Sequence, residues 1–261
     1  MSDTLSFTAD GYVGEITLTR PELLNRFDVA LHREFTELLL ELRGRQDLRA
    51  LVLASTGKCF SAGGDFELML AGRADIAVRQ TMIDEGRLLF RLLADLAAPV
   101  VVAMQGDAIG LGATVALSCD AIVAARTASI SDPHVAIGLV AGDGGCVVWP
   151  AAVGMLRAKR YLLTGDRLRA EDAWAMGHVT DLVDGPDDAL PAARALAARI
   201  AALPPLAVQG TKRALNRVVQ ERAGEVLDLS FALEGDSMAS DDLVEAINAF
   251  KERREPKYQG R

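Results

Sequence analysis

The strongest constraint on the fold is a pair of short, unbroken apolar runs, each closed by a glycine-rich turn. "RALVLAS" leads into "TGKCFSAGGD", and "PVVVAMQG" leads into "GDAIGLG". Neither run alternates apolar with polar residues, so neither is the half-wetted strand of an open antiparallel sheet. Runs of this length and kind are strands covered on both faces, as in a parallel sheet flanked by helices. The intervening segments supply those helices. Asp28 is placed to cap a helix over Val29 to Arg43, with Leu31, Phe35, Leu38, Leu39 and Leu42 on one face. Leu89, Leu92, Leu93 and Leu96 recur at i, i+3, i+4 and i+7 on a second helix. "ATVALSC" predicts a helix and "AIVAA" a further strand, while "LSFTAD" and "GEITLTR" alternate around "GY" as a hairpin would. After about Trp149 the pattern turns helical, with "HVTDLVD" as one returning strand. The order predicts an α/β core over residues 1–200 and a helical region over 201–261. The Ala/Leu-rich helices near the end suit either subunit packing or the capping of their own core.

Composition narrows the function classes. Half of the 261 residues are hydrophobic and a quarter charged, enough for a sizeable core without metal or disulfide staples. The net charge of −8, with no long basic run, argues against a nucleic-acid or anionic-membrane partner. Three widely spaced cysteines without a CxxC pair suit reduced thiols in the cytoplasm. Three histidines with no HxH or HxxxH spacing give no structural zinc site, so no metal is expected. "MSDTLSFTADGYVGEITLTR" has no basic start followed by an apolar stretch, and no apolar run approaches the ~20 residues of a membrane span.

The chemistry-bearing candidates are the two glycine turns. Each sits at the C-terminal end of a buried strand and opens a helical pattern, where backbone N–H groups are free to face a ligand. One such turn is an ordinary tight turn. Two of them can aim two N–H donors at one oxygen, which is the construction of an oxyanion hole. "GDAIGLG" lacks the dinucleotide G-x-G-x-x-G spacing, and the chain has neither a P-loop nor a G-x-S-x-G elbow.

Taken with "GLVAGDGGCVVWPAAVGMLRAKRYLLTGDRLRAEDAWAMGHVTDLV", "LTRPELLN" and the tail "FKERREPKY", these segments resemble the crotonase family, the enoyl-CoA hydratase/isomerase superfamily, in order over almost the whole chain. The resemblance implies a spiral of repeated ββα units with C-terminal helices packing trimers or dimers of trimers. It implies an acyl-CoA thioester as substrate, coenzyme A being part of that substrate and no separate cofactor being needed. By position the thioester oxygen falls to the backbone N–H groups of Gly64 and Leu111, with Leu24, Ala62 and Asp65 against the CoA arm. Where family members carry lysines for the CoA phosphates, this chain has Glu22 and Glu67; Arg26, or Lys257 from a neighbouring subunit's tail, is the candidate substitute.

The two glutamates of a typical hydratase are absent. Thr114 takes the first position, as a substrate contact, and His134 takes the second. Asp143 falls in the loop that the family places beside the substrate. By themselves, a histidine after proline and an aspartate before Gly-Gly also suit a carbonyl-bonded imidazole and a helix cap. The resemblance puts both at the reaction centre and favours catalysis, since imidazole titrates near neutral pH. Asp132 reads as the opening of an Asp-Pro turn, and His32 and His178 read as structural. The expected activity is enoyl-CoA hydration with His134 and Asp143 replacing the two glutamates. Isomerisation, hydrolysis or decarboxylation of a cyclic or branched acyl-CoA uses the same residues. A non-catalytic acyl-CoA-binding protein is the contrasting class.

Overall fold

The computed structural model describes residues 4–261. Strands β1 (Leu5–Asp10) and β2 (Val13–Leu18) form the expected hairpin, antiparallel from Leu5 opposite Leu18 to Asp10 opposite Val13. Helix α1 (Val29–Arg43) begins where Asp28 accepts a hydrogen bond from the Leu31 amide. It buries Leu31, Phe35, Leu39 and Leu42.

The chain then repeats one pattern. The first unit is β3 (Ala50–Ser55), β4 (Cys59–Ser61), α2 (Phe66–Ala74) and α3 (Ile76–Asp95). The second is β5 (Val100–Met104), β6 (Asp107–Ile109) and α4 (Leu111–Leu117). The third is β7 (Ala121–Ala125), β8 (Ser129–Ser131), a 3-10 turn at His134–Ile137 and α5 (Gly145–Val153). Each unit gives its first strand to a six-stranded sheet ordered β1-β2-β3-β5-β7-β10 and its second to a four-stranded sheet. That division is what winds the chain into a spiral. The remaining elements are α6 (Met155–Leu162), β9 (Leu168–Arg169), α7 (Ala170–Met176), β10 (Asp181–Val183), α8 (Pro186–Ala201), α9 (Pro205–Met238) and α10 (Asp241–Glu252). The strand expected in "HVTDLVD" is β10, parallel to β7 at the end of the larger sheet.

The unbroken apolar runs are buried on both faces because two different cores meet them. Leu51, Leu53, Val100, Val102 and Met104 join the main core, with Phe27, Phe35 and Leu89. Ala50, Val52, Val101 and Ala103 face the other way, onto Ala193, Ala197 and Ala201 of α8. The alanines recur every four residues, so α8 lays a smooth stripe on the sheet. This Ala-rich helix therefore caps its own core. Helix α9 is tied down by the buried Lys212, whose Nζ donates to Asp120 at 2.7 Å and to the Ala98 carbonyl at 3.0 Å. Its far end, through Phe231 and Met238, reaches back over the core and over α2. Among the described residues no helix is long and apolar enough to cross a membrane.

Candidate active site

The two glycine turns meet back to back. Gly63 has φ +83°, and a Cβ there would stand 2.5 Å from the Ile109 carbonyl oxygen and 3.4 Å from the Leu111 nitrogen. Only glycine permits both the left-handed backbone and this approach. The turn is pinned from outside as well. The Phe27 amide donates to Gly63 O at 2.7 Å, and Ser61 Oγ donates to Asn25 O at 2.8 Å. None of the hydrogen bonds among the described residues uses the amide of Gly64 or of Leu111. Leu111 is the first residue of α4, where an amide has no partner inside its own helix.

Both residues line one cavity of about 80 Å³. Its walls are mostly apolar: Phe27, Leu68, Met69, Met82, Ile83 and Phe231. Against that lining stand His134, Asp143 and Glu234. His134 opens the 3-10 turn after β8. Its Nδ1 is hydrogen-bonded to Asp132 Oδ1, and its Nε2 lies 3.6 Å from Asp143 Oδ2. That second separation is too long for a direct hydrogen bond. Asp143 is held from its other oxygen, where Oδ1 accepts from Thr114 Oγ1 at 3.0 Å. Its Oδ2 is buried without a hydrogen-bond partner.

The structure brings together residues that lie far apart in the sequence. Asp132 is not only a turn residue, because its carboxylate holds the imidazole of His134. His32 lines the cavity. Thr114, expected as a substrate contact, is instead hydrogen-bonded to Asp143 and is not among the residues lining the cavity. Asp65 lines the cavity, yet both its oxygens are committed. Oδ1 accepts from the Leu68 amide as the cap of α2, and Oδ2 pairs with Arg26 at 2.6 Å. The Arg26 guanidinium is thereby engaged within its own chain. Leu24 and Ala62 lie outside the cavity lining, joined to each other by the Ala62 amide donating to Leu24 O at 2.9 Å. His178 is stacked on Trp149 at 4.4 Å, as a core residue.

Glu234 is the residue that sequence reasoning missed. It sits on α9 among Leu227, Phe231 and Met238, the buried stripe of that helix. An acidic residue at a stripe position is the signal that marks it. Gly142 makes room for it, since a Cβ there would lie 2.6 Å from Glu234 Oε2. That oxygen is buried and unpartnered.

One imidazole and three carboxyl groups share this buried space, and their protonation follows. Burial pulls His134 down, but the charges of Asp132 and Asp143 outweigh it and hold the imidazole up at about 10. At neutral pH it is therefore an imidazolium, a proton donor and not the acceptor that an unperturbed histidine could be. Burial pushes the Asp143 carboxyl up, against the pull of His134. Burial and the neighbouring Asp143 charge push Glu234 up to about 8. Asp132, His134 and Asp143 also present ligand atoms within 4.8 Å of one another, a donor set that a divalent cation can use.

The shift of Glu234 has a consequence for stability. Between the ordinary value of 4.5 and about 8, the folded chain keeps a proton that the unfolded chain has lost. The contribution is complete below 4.5 and is lost as pH rises through about 8. His134 acts in the same direction between 6.5 and about 10. Urea denaturation across this range is expected to show stability falling as pH rises, with Glu234→Gln flattening the fall between 4.5 and about 8. Equal slopes for the two proteins would mean that Glu234 titrates as an ordinary surface acid.

Comparisons with known proteins identify the family. The profile of the enoyl-CoA hydratase/isomerase family matches residues 8–261. The protein named probable enoyl-CoA hydratase echA8 of Mycobacterium bovis is 31% identical over 259 residues, 99% of each chain. The 1,2-epoxyphenylacetyl-CoA isomerase of Escherichia coli is 32% identical over 249 residues, 94% of each chain. An enoyl-CoA hydratase/isomerase structure from Mycobacterium paratuberculosis superposes with a TM-score of 0.90 at 36% identity, covering 95% of this chain and 98% of that one. The chain belongs to the enoyl-CoA hydratase/isomerase family.

Proposed function

We propose that the protein hydrates an enoyl-CoA thioester, with Asp132, His134, Asp143 and Glu234 in place of two glutamates. One observation carries the reading: two amides without intrachain acceptors and a buried proton-transfer cluster open onto the same apolar cavity. The thioester oxygen sits between the Gly64 and Leu111 amides. As charge develops there, preset donors lower its energy in a site that excludes water. Asp143, which lines the cavity and whose buried Oδ2 has no hydrogen-bond partner, takes a proton from water. The water oxygen bonds to the β-carbon, and the double-bond pair moves onto the thioester oxygen. The enolate collapses by taking a proton at the α-carbon, and the protonated groups facing the cavity, His134 and Glu234, are its donors. Asp132 keeps the imidazole oriented and charged.

A panel of short, branched and cyclic enoyl-CoA esters tests the proposal by product mass. Hydration adds the mass of one water to the intact thioester. An isomer of unchanged mass, or release of free coenzyme A, would replace hydration with isomerisation or hydrolysis at the same residues. Binding of every ester without turnover would make the protein an acyl-CoA-binding module. Assembly as a trimer or dimer of trimers through the C-terminal helices is part of the same proposal. The exposed Leu206, Leu215, Val218 and Leu229 of α9 support it.

A further inference from the structure

We propose that the cavity holds a second polar subsite, formed by His32 and Glu85, that takes a hydroxyl group carried by the acyl chain beyond the reacting carbons. The inference rests on the acyl-CoA reading and names a substrate class within it. His32 lies on the buried side of α1, between Leu31 and Phe35 in the chain, with its ring edge-on to Phe27 at 6.4 Å between centroids. Its side chain is nine-tenths buried, and Nδ1 has no hydrogen-bond partner. The nearest charged group is Glu85 on α3, whose Oε2 is 3.9 Å from that nitrogen. That gap is too long for a direct hydrogen bond and short enough for one oxygen to reach both groups.

His32 and Glu85 line the same cavity as His134, Gly64 and Leu111, and Met69, Met82 and Ile83 are among its apolar lining residues. A leucine at position 32 would continue the apolar character of that wall. An imidazole leaves a buried nitrogen unsatisfied instead, a cost that a ligand can remove. Burial holds His32 down at about 4, so it is neutral at physiological pH and offers one ring N–H and one acceptor nitrogen. Glu85 is partly exposed and is an acceptor when ionised. A hydroxyl suits this pair best, because it can accept from the ring N–H while donating to the carboxylate. A purely hydrocarbon acyl group satisfies neither, and a carboxylate would be repelled by Glu85.

Titration calorimetry of the full-length protein tests the subsite. The probes are butanoyl-CoA against 4-hydroxybutanoyl-CoA and pentanoyl-CoA against 5-hydroxypentanoyl-CoA, saturated esters that cannot be hydrated. At least one hydroxylated ester is expected to bind roughly 10- to 100-fold more tightly than its plain counterpart. His32→Leu is expected to erase that preference. Glu85→Ala, at a partly exposed position, is expected to reduce it, and stands as the second variant. Equal affinity of plain and hydroxylated esters, or a preference that survives both substitutions, would overturn the subsite while leaving the acyl-CoA reading intact. Failure of every ester to bind would overturn that reading, and the subsite with it.

Discussion

Replacing His134 by alanine is expected to lower kcat/KM on the best enoyl-CoA ester by about 10²- to 10⁴-fold, the range for a positioned acid–base group. The loss should fall in kcat more than in KM, because in the proposed reaction the imidazolium acts on the reacting carbons and not on the CoA arm. Asp132→Asn provides the matching positioning test. Asp132 is bonded to Nδ1, and the other ring nitrogen, Nε2, faces Asp143. Removing its charge should lower the pKa of His134 from about 10 and bring a new titration into the pH profile near neutrality. A side chain that only filled space would leave the profile unmoved. The measurement is steady-state kinetics of the two variants over the pH range. A His134→Ala enzyme within threefold of the parent would remove His134 from the mechanism.

Gly63→Ala is the second large expected effect, and it reaches the other half of the site. The new Cβ would meet the Ile109 carbonyl at 2.5 Å from a backbone with φ +83°. The substitution therefore combines left-handed strain of about 1–2 kcal/mol with a clash that something must relieve. The relief has to separate the two turns, and with them the amides of Gly64 and Leu111. Losing one such donor costs about 10²- to 10³-fold in kcat elsewhere, and this separation is expected to cost at least as much. Urea denaturation separates the causes. A cooperative transition at lower urea with unchanged m, together with lost kcat in the folded variant, is the expected pair of results. Full activity at reduced stability would mean that the two turns need not meet for turnover.

The elements closest to the chemistry differ in how far the sequence revealed them. The runs ending in the two glycine turns were legible because burial on both faces leaves a composition signature, and because glycine marks backbone that other residues cannot adopt. The family pattern puts His134 and Asp143 side by side, and in the folded chain both line one cavity. Asp132 was not legible, because Asp-Pro is an ordinary turn opening. Only the fold of the His134–Ile137 turn brings the ring back onto the carboxylate two residues earlier. Glu234 lies on a helix almost a hundred residues further along, and no local pattern links it to the 3-10 turn. The hidden link is tertiary: α9 crosses the core so that its buried stripe closes the cavity. His32 reads as structural in the sequence for a related reason, since a buried position on an amphipathic helix looks the same whether it faces a core or a cavity. The pKa of His134 was also illegible. It depends on two carboxylates that converge only in the folded chain.

In the proposed reaction one thioester oxygen is held by the Gly64 and Leu111 amides while the His134 and Asp143 side chains face the adjacent carbons. A crystal structure of the Asp143→Asn protein with a bound enoyl-CoA tests it most directly. The expected result is a thioester oxygen within about 3 Å of both amide nitrogens, the β-carbon beside position 143 and the imidazole of His134 on the same side of the acyl chain. A thioester bound elsewhere, or an oxygen contacting only one amide with His134 turned away from the acyl carbons, would overturn the proposed reaction.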